Sequence, residues 1–215
     1  MPADASSEAQ ADAFVDLLDG LGIDRVPVVG GSAGALSATA FALRHPDRCS
    51  ALVALVPAMH APGRSLAPPP GALTGFIIER GLRSDLLFWL GLVGAEGAMT
   101  GALLATDPAL VAAASPKEQA RARAILWDIL PVSSRTEGLL NDARLSVDPA
   151  PMPLADIAVP TLAISLEDDR FDTIAAARHM AAEVPGAQLV TWPSGGHIWI
   201  GHDADVAEAI DGFLK

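Results

Sequence analysis

From Ser6 to Leu21 apolar residues recur at three- and four-residue spacing (Ala9, Ala13, Phe14, Leu17, Leu18, Leu21), with Asp12, Asp16 and Asp19 on the other side. That period predicts an amphipathic helix, closed by Gly20 and Gly22. The pattern then changes. Val26–Val29 and Ala51–Val56 are short continuous apolar runs, the signature of parallel strands covered on both faces. Pro27 removes one backbone donor, so the first strand is expected to be irregular or unpaired on one side. Between them, Ala35–Arg44 is rich in small helix formers and ends at His45-Pro46-Asp47. Pro57–Pro70 is dense in proline and glycine and marks a boundary. Helical spacing follows to about Arg144, in segments at Leu73–Leu82, Asp85–Val93, near Leu103 and at Lys117–Leu130. The prolines of Val147–Pro153 close that stretch. Strand, helix, strand and helix then follow at Thr161–Ser165, Thr173–Glu183, Gln188–Trp192 and Asp203–Leu214. The whole reads as an α/β fold with a parallel sheet, residues 1–60 and 150–215 forming the core and 61–149 an inserted helical cap.

Composition narrows the partners. The chain has 215 residues, 51% of them hydrophobic, enough to bury a sizeable core. Its formal net charge of -12 comes from 14 basic and 26 acidic residues with no basic stripe, which argues against a nucleic-acid partner. The single cysteine, Cys49, has no disulfide or metal-site companion and reads as a small core hydrophobe in a reducing compartment. The N-terminal MPADASSEAQADAF lacks the basic start and apolar run of a secretory signal, so a cytoplasmic location is expected. Leu86–Ala105 is nearly long and apolar enough to cross a membrane. Its second half is interrupted by glycine and polar residues, and Arg83 and Asp85 flank it, so a buried cap helix pair broken between Gly91 and Gly97 is expected and no membrane partner.

The chemistry centres on Gly30-Gly31-Ser32-Ala33-Gly34, a G-x-S-x-G placed between the first strand and its helix. A turn that sharp strains its central residue, and Gly30 and Gly34 are expected to let strand and helix approach closely. Ser32 is then presented at the tip, and the Ala33 N–H at the helix start is the expected oxyanion donor. A serine hydroxyl needs a base to take its proton. His197, in a glycine-rich loop directly after the last strand, is the candidate, with His202 behind it. The base needs an orienting acid, and Glu167, Asp168, Asp169 and Asp172 follow the third strand on the same sheet edge. Asp169 is preferred and Asp168 is the alternative. Phe76, Phe88, Trp89, Trp127 and Trp199 are candidate pocket residues. With no GxGxxG, no P-loop and no metal-ligand spacing, no cofactor or metal is implied.

Three stretches carry a resemblance: LGIDRVPVVGGSAGALSATAFALRHPDR, VPTLAISLEDDRFDT and PGAQLVTWPSGGHIWIGH. The chain resembles the α/β-fold hydrolases with helical caps, a group of esterases, lactonases and carbon–carbon bond hydrolases. The resemblance implies Ser32 as nucleophile, His197 as base and Asp169 as acid. It places Asp169 on the D of the family's G-x-x-D, with Leu166 in the glycine position. It implies a Ser-His-Asp hydrolase acting on a small, ester-like substrate. It also implies strands ahead of the nucleophile strand and a second oxyanion N–H from a loop among them. Only a helix precedes Val26, so the chain reads as N-terminally incomplete, with an impaired oxyanion hole. Its first strand would then be an open apolar edge through which copies associate.

Overall fold

The computed structural model describes residues 5–64 and 79–215. Helix α1 (Ser7–Leu21) starts where the Ser6 side chain accepts from the Ala9 N–H, and ends at Gly22 in the left-handed conformation, with Gly20 still inside the helix. Strand β1 (Val26–Gly31) leads into α2 (Gly34–Arg44), and β2 (Cys49–Leu55) follows. The remaining strands and their helices are β3 (Thr161–Leu166), α7 (Thr173–Glu183), β4 (Gln188–Trp192) and α8 (Asp203–Phe213). Between β2 and β3 lie α3 (Asp85–Leu103), α4 (Pro108–Ala113), α5 (Pro116–Trp127) and α6 (Thr136–Val147). Of the segment expected at Leu73–Leu82, residues 73–78 lie outside the described residues.

The strands form one parallel sheet in the order β1-β2-β3-β4. Their register pairs Gly31 with Leu55, Leu55 with Ile164 and Leu166 with Trp192, so all four C-terminal ends meet at one edge of the sheet. The β1–β2 register slips between Val26 and Pro27, where the proline cannot donate. Among the described residues β1 has no second neighbour, and Val29 on it is 50% exposed.

Alternation within the apolar strands sorts them between two faces. Leu52, Ala54 and Ala163 pack with Phe41 and Leu36 of α2, Ala11 and Leu18 of α1, and Met180 of α7. Val53, Leu55, Leu162, Ile164 and Leu166 point the other way, against Val206 of α8. Burial on both faces explains why β2 and β3 read as unbroken apolar runs.

The helices between β2 and β3 build a further cluster from Phe88, Leu92, Leu104, Leu126 and Val132. The expected break in the long apolar helix is present at Ala95, whose φ of -149° is not helical. The expected burial is not. Only Phe88, Leu92 and Thr100 of α3 are buried, while Leu86, Leu87, Trp89, Leu90 and Val93 are exposed. About one residue in each of the first turns, Phe88 and then Leu92, packs on the cluster, and no other described element covers the opposite side. By length and composition alone α3 is apolar enough to cross a membrane.

Cys49 is fully buried at the start of β2, and burial pushes its thiol up to about 11. Its reactive thiolate is therefore scarce at pH 8. A disulfide-exchange reagent should titrate no thiol in the native chain at pH 8 and one thiol after denaturation. Because the folded value lies above the unfolded one, stability is expected to fall as pH rises from about 9 to about 11. Rapid native labelling would contradict this placement.

Candidate active site

The site is built on the β1–α2 turn. A Cβ on Gly30 would lie 2.6 Å from both the Ala38 Cβ and the Gly34 carbonyl oxygen, so only hydrogen fits where the helix crosses the strand. Gly34 does not share this role, contrary to expectation: a Cβ there would meet nothing within 4 Å, because that position of the first helical turn faces away from the strand. The turn is closed by the Ser32 N–H donating to the Leu55 carbonyl at 2.9 Å, and by the Ser32 carbonyl accepting from Ala35 and Ala58 N–H groups at 3.1 Å each. Ser32 itself has φ +52°, a left-handed conformation that L side chains rarely adopt. The Ala33 N–H stands at the start of α2 and donates to no acceptor among the described residues.

From β4 the chain turns through Gly195 and Gly196 into a short 3-10 turn that carries His197. Gly196 has φ +63°, and a Cβ there would lie 2.5 Å from the Thr106 hydroxyl. His197 is buried; its Nε2 lies 2.9 Å from Ser32 Oγ and its Nδ1 2.8 Å from Asp169 Oδ2. Asp169 is 5% exposed and takes further hydrogen bonds from the Thr173 hydroxyl and from the Phe171 N–H at 2.9 Å. Thr173 in turn is hydrogen-bonded to Ser165 of β3 at 2.9 Å. The acid is thus fixed by groups from β3, its own loop and α7, and it fixes the imidazole with its Nε2 toward the serine.

The other candidates fall elsewhere. Asp168, the alternative acid, accepts from the Gly196 N–H at 2.8 Å and the Gly195 N–H at 3.1 Å, tying down the turn before the histidine rather than the ring. Glu167 pairs with Arg178. His202 stacks on Trp192 and lies 2.9 Å from Asp205. His45 pairs with Asp12, and His60 lies against His179.

A cavity of about 300 Å³ opens beside Ser32 and Ala33, walled by Ala58, Arg64, Val147, Phe171 and Asp142 among the described residues. Burial pushes the Asp142 carboxyl up and the Arg64 guanidinium down, the latter opposed by the Asp172 and Asp169 charges. Arg64 donates to the Met59 carbonyl at 2.8 Å and the Phe171 carbonyl at 3.0 Å, so it holds the acid loop against the segment after β2. The Phe171 ring stands edge-on to His197 at 5.0 Å. None of the four described aromatic candidates lines this cavity. Phe88 is in the helical cluster, Trp89 is exposed, Trp127 packs beside that cluster and Trp199 packs against the α8 face of the sheet; Phe76 lies outside the described residues. Phe171 and Arg64 were not legible as site residues, although Phe171 follows Asp169 by only two positions.

A strand-turn-helix serine, a histidine after the last strand and an acid after the one before it, converging on one edge of a parallel sheet, define a hydrolase-type site. The family profile described as "alpha/beta hydrolase fold" matches residues 2–201. The "Putative carbamate hydrolase RutD" of Klebsiella pneumoniae (strain 342) is 30% identical over 214 residues, 98% of this chain and 73% of that one. The enol-lactonase of Burkholderia xenovorans LB400 shares the fold with a TM-score of 0.63 at 22% identity, over 99% of this chain and 75% of that one. A thermophilic esterase from Thermogutta terrifontis does so with a TM-score of 0.68 at 22% identity, over 100% of this chain and 74% of that one. The chain belongs to the α/β-hydrolase family and is a hydrolase.

The two glycines of the turn make opposite predictions. Gly30→Ala should destabilise the fold by about 1–3 kcal/mol through overpacking, whereas Gly34→Ala should be neutral or add up to about 1 kcal/mol through helix propensity. Urea unfolding of both variants reads the difference; equal effects would contradict the contact geometry at Gly30.

Proposed function

We propose that the chain is a serine hydrolase that cleaves the ester or lactone bond of a small, largely apolar substrate through an acyl-enzyme. The observation that carries this reading is the unbroken hydrogen-bond chain from Ser32 Oγ through His197 to Asp169, at 2.9 and 2.8 Å. Ser32 Oγ attacks the acyl carbonyl carbon while His197 Nε2 takes the hydroxyl proton. The negative charge that develops on the carbonyl oxygen meets the Ala33 N–H at the positive end of α2. The tetrahedral intermediate collapses as His197 returns its proton to the alkoxy oxygen, breaking the ester bond and leaving Ser32 acylated. In a lactone the alkoxy group stays attached to the acyl chain. Water, deprotonated by His197, then attacks the acyl carbonyl and releases the acid, and Ser32 regains its proton. Asp169 holds the imidazole with its proton on Nδ1 and stabilises the imidazolium in both halves.

The helices of residues 61–149 act in this reading as a cap over the core, with Val147 of α6 in the cavity wall supplying apolar surface for the substrate. The mostly apolar lining of Ala33, Ala58, Val147 and Phe171 supports a small acyl group over a long polar one. The relatives are named a putative carbamate hydrolase, an enol-lactonase and an esterase, and carbamate, lactone and ester bonds each present an acyl carbonyl to a nucleophile, which supports this class.

Short-chain p-nitrophenyl esters test the proposal. Turnover is expected from the purified chain and should vanish in Ser32→Ala. Asp169→Asn should lose on the order of 10³–10⁴ in kcat, since an amide no longer enforces the right tautomer. A fluorophosphonate should label the wild type and not Ser32→Ala. A folded wild type that neither turns over nor labels would overturn the reading.

A further inference from the structure

The loop that carries His197 is held from two sides, and one of them is the helical insertion. Ile198 and Ile200, which flank the turn after the histidine, belong to the apolar cluster of the insertion, packed with Phe88, Leu92, Leu126 and Val132. On the polar side of the same contact, Arg121 of α5 donates from Nη2 to the Ile198 carbonyl at 2.7 Å and the Trp199 carbonyl at 3.4 Å. Its guanidinium carbon lies 5.6 Å from the centre of the Trp199 ring. Glu118, one helical turn before Arg121 and only 8% exposed, accepts from the Gly201 N–H at 3.0 Å and from Arg121 Nη2 at 2.8 Å. The pair therefore grips three of the four residues that follow His197.

Those residues need a grip. Trp199 has φ +45°, a conformation that a bulky side chain rarely adopts, whereas Gly201 takes φ +86° at no steric cost, so the strain to be held lies at Trp199. Burying a carboxylate is costly unless it is paired and hydrogen-bonded, and the hydrogen bonds to the Glu118 carboxylate among the described residues come from Arg121 and the Gly201 N–H. The ion pair thus sits on the backbone that directly follows the base, away from the cavity beside Ser32.

We propose that Arg121 and Glu118 are positioning residues for His197: from the insertion they fix the backbone of residues 198–201, and so keep the imidazole in line between Ser32 and Asp169. The proposal rests on the hydrolase reading for its kinetic test. Arg121→Met keeps the apolar stem and removes the donors. On p-nitrophenyl acetate it should lower kcat roughly tenfold to a hundredfold, as expected of a displaced catalytic group, with KM within about twofold. Arg121→Lys, which retains a donor for the Ile198 carbonyl, should recover part of that loss. The second readout needs no turnover: the NMR resonance of the His197 Nδ1 proton, held on Asp169 in the wild type, should broaden or shift in Arg121→Met. Unchanged kcat and an unchanged resonance in a folded Arg121→Met would overturn the proposal, as would a rise in KM alone. If Arg121→Met does not fold, Glu118→Gln is measured in the same way, and loss of fold in both would assign the pair to stability and overturn the positioning role. If the wild type shows no ester turnover the hydrolase reading fails, while the resonance still decides whether the pair orients the ring.

Discussion

At Gly30 the helix α2 passes so close over β1 that a single added carbon would sit 2.6 Å from the Ala38 side chain and the Gly34 carbonyl. This contact sets the exit angle of the chain. At that turn Ser32 takes a left-handed conformation, φ +52°, with its hydroxyl at the C-terminal edge of the sheet. Every other part of the site is placed relative to that hydroxyl. The parallel register brings the ends of β3 and β4 to the same edge, so that an imidazole from near the end of the chain arrives within hydrogen-bond reach of a serine near its start, and a carboxylate within reach of that imidazole.

The acidic run after β3 shows how one cluster is divided among tasks by what each carboxylate meets. Glu167 faces α7 and pairs with Arg178. Asp168 turns to two backbone N–H groups of the next loop, and Asp169 to the imidazole, a hydroxyl and its own loop. Neighbouring residues in a turn point in different directions, so identical chemistry becomes a surface pair, a loop tether and a partner of the buried imidazole in three successive positions.

This division also marks the limit of what the residues reveal on their own. The apolar runs of β2 and β3 were legible because both faces are buried, and α7 and β4 occupy the spans their patterns predict. Ser32, Asp169 and His197 stood out because each ends a strand-like run in a turn-forming stretch. The partners of Asp168 lie 27 and 28 positions away and have no side chain, so no pattern announces them. The same holds for Ile198 and Ile200, which read as a short apolar flank of a turn and prove to be part of a core assembled from residues 88 to 132. The exposure of α3 was hidden for the converse reason: apolar composition predicts burial on average, but one packed face leaves Leu86, Leu90 and Val93 outside.

A left-handed residue other than glycine occurs after each strand: Ser32, Val56, Asp172 and Trp199. Such positions cost of order 1 kcal/mol or more apiece, a noticeable share of the roughly 5–15 kcal/mol that keeps a domain folded. The chemical edge of the sheet is thus also its energetic frontier. Shape and robustness draw on one reserve in this molecule, so relaxing any of the four turns trades the geometry of this edge for hardiness.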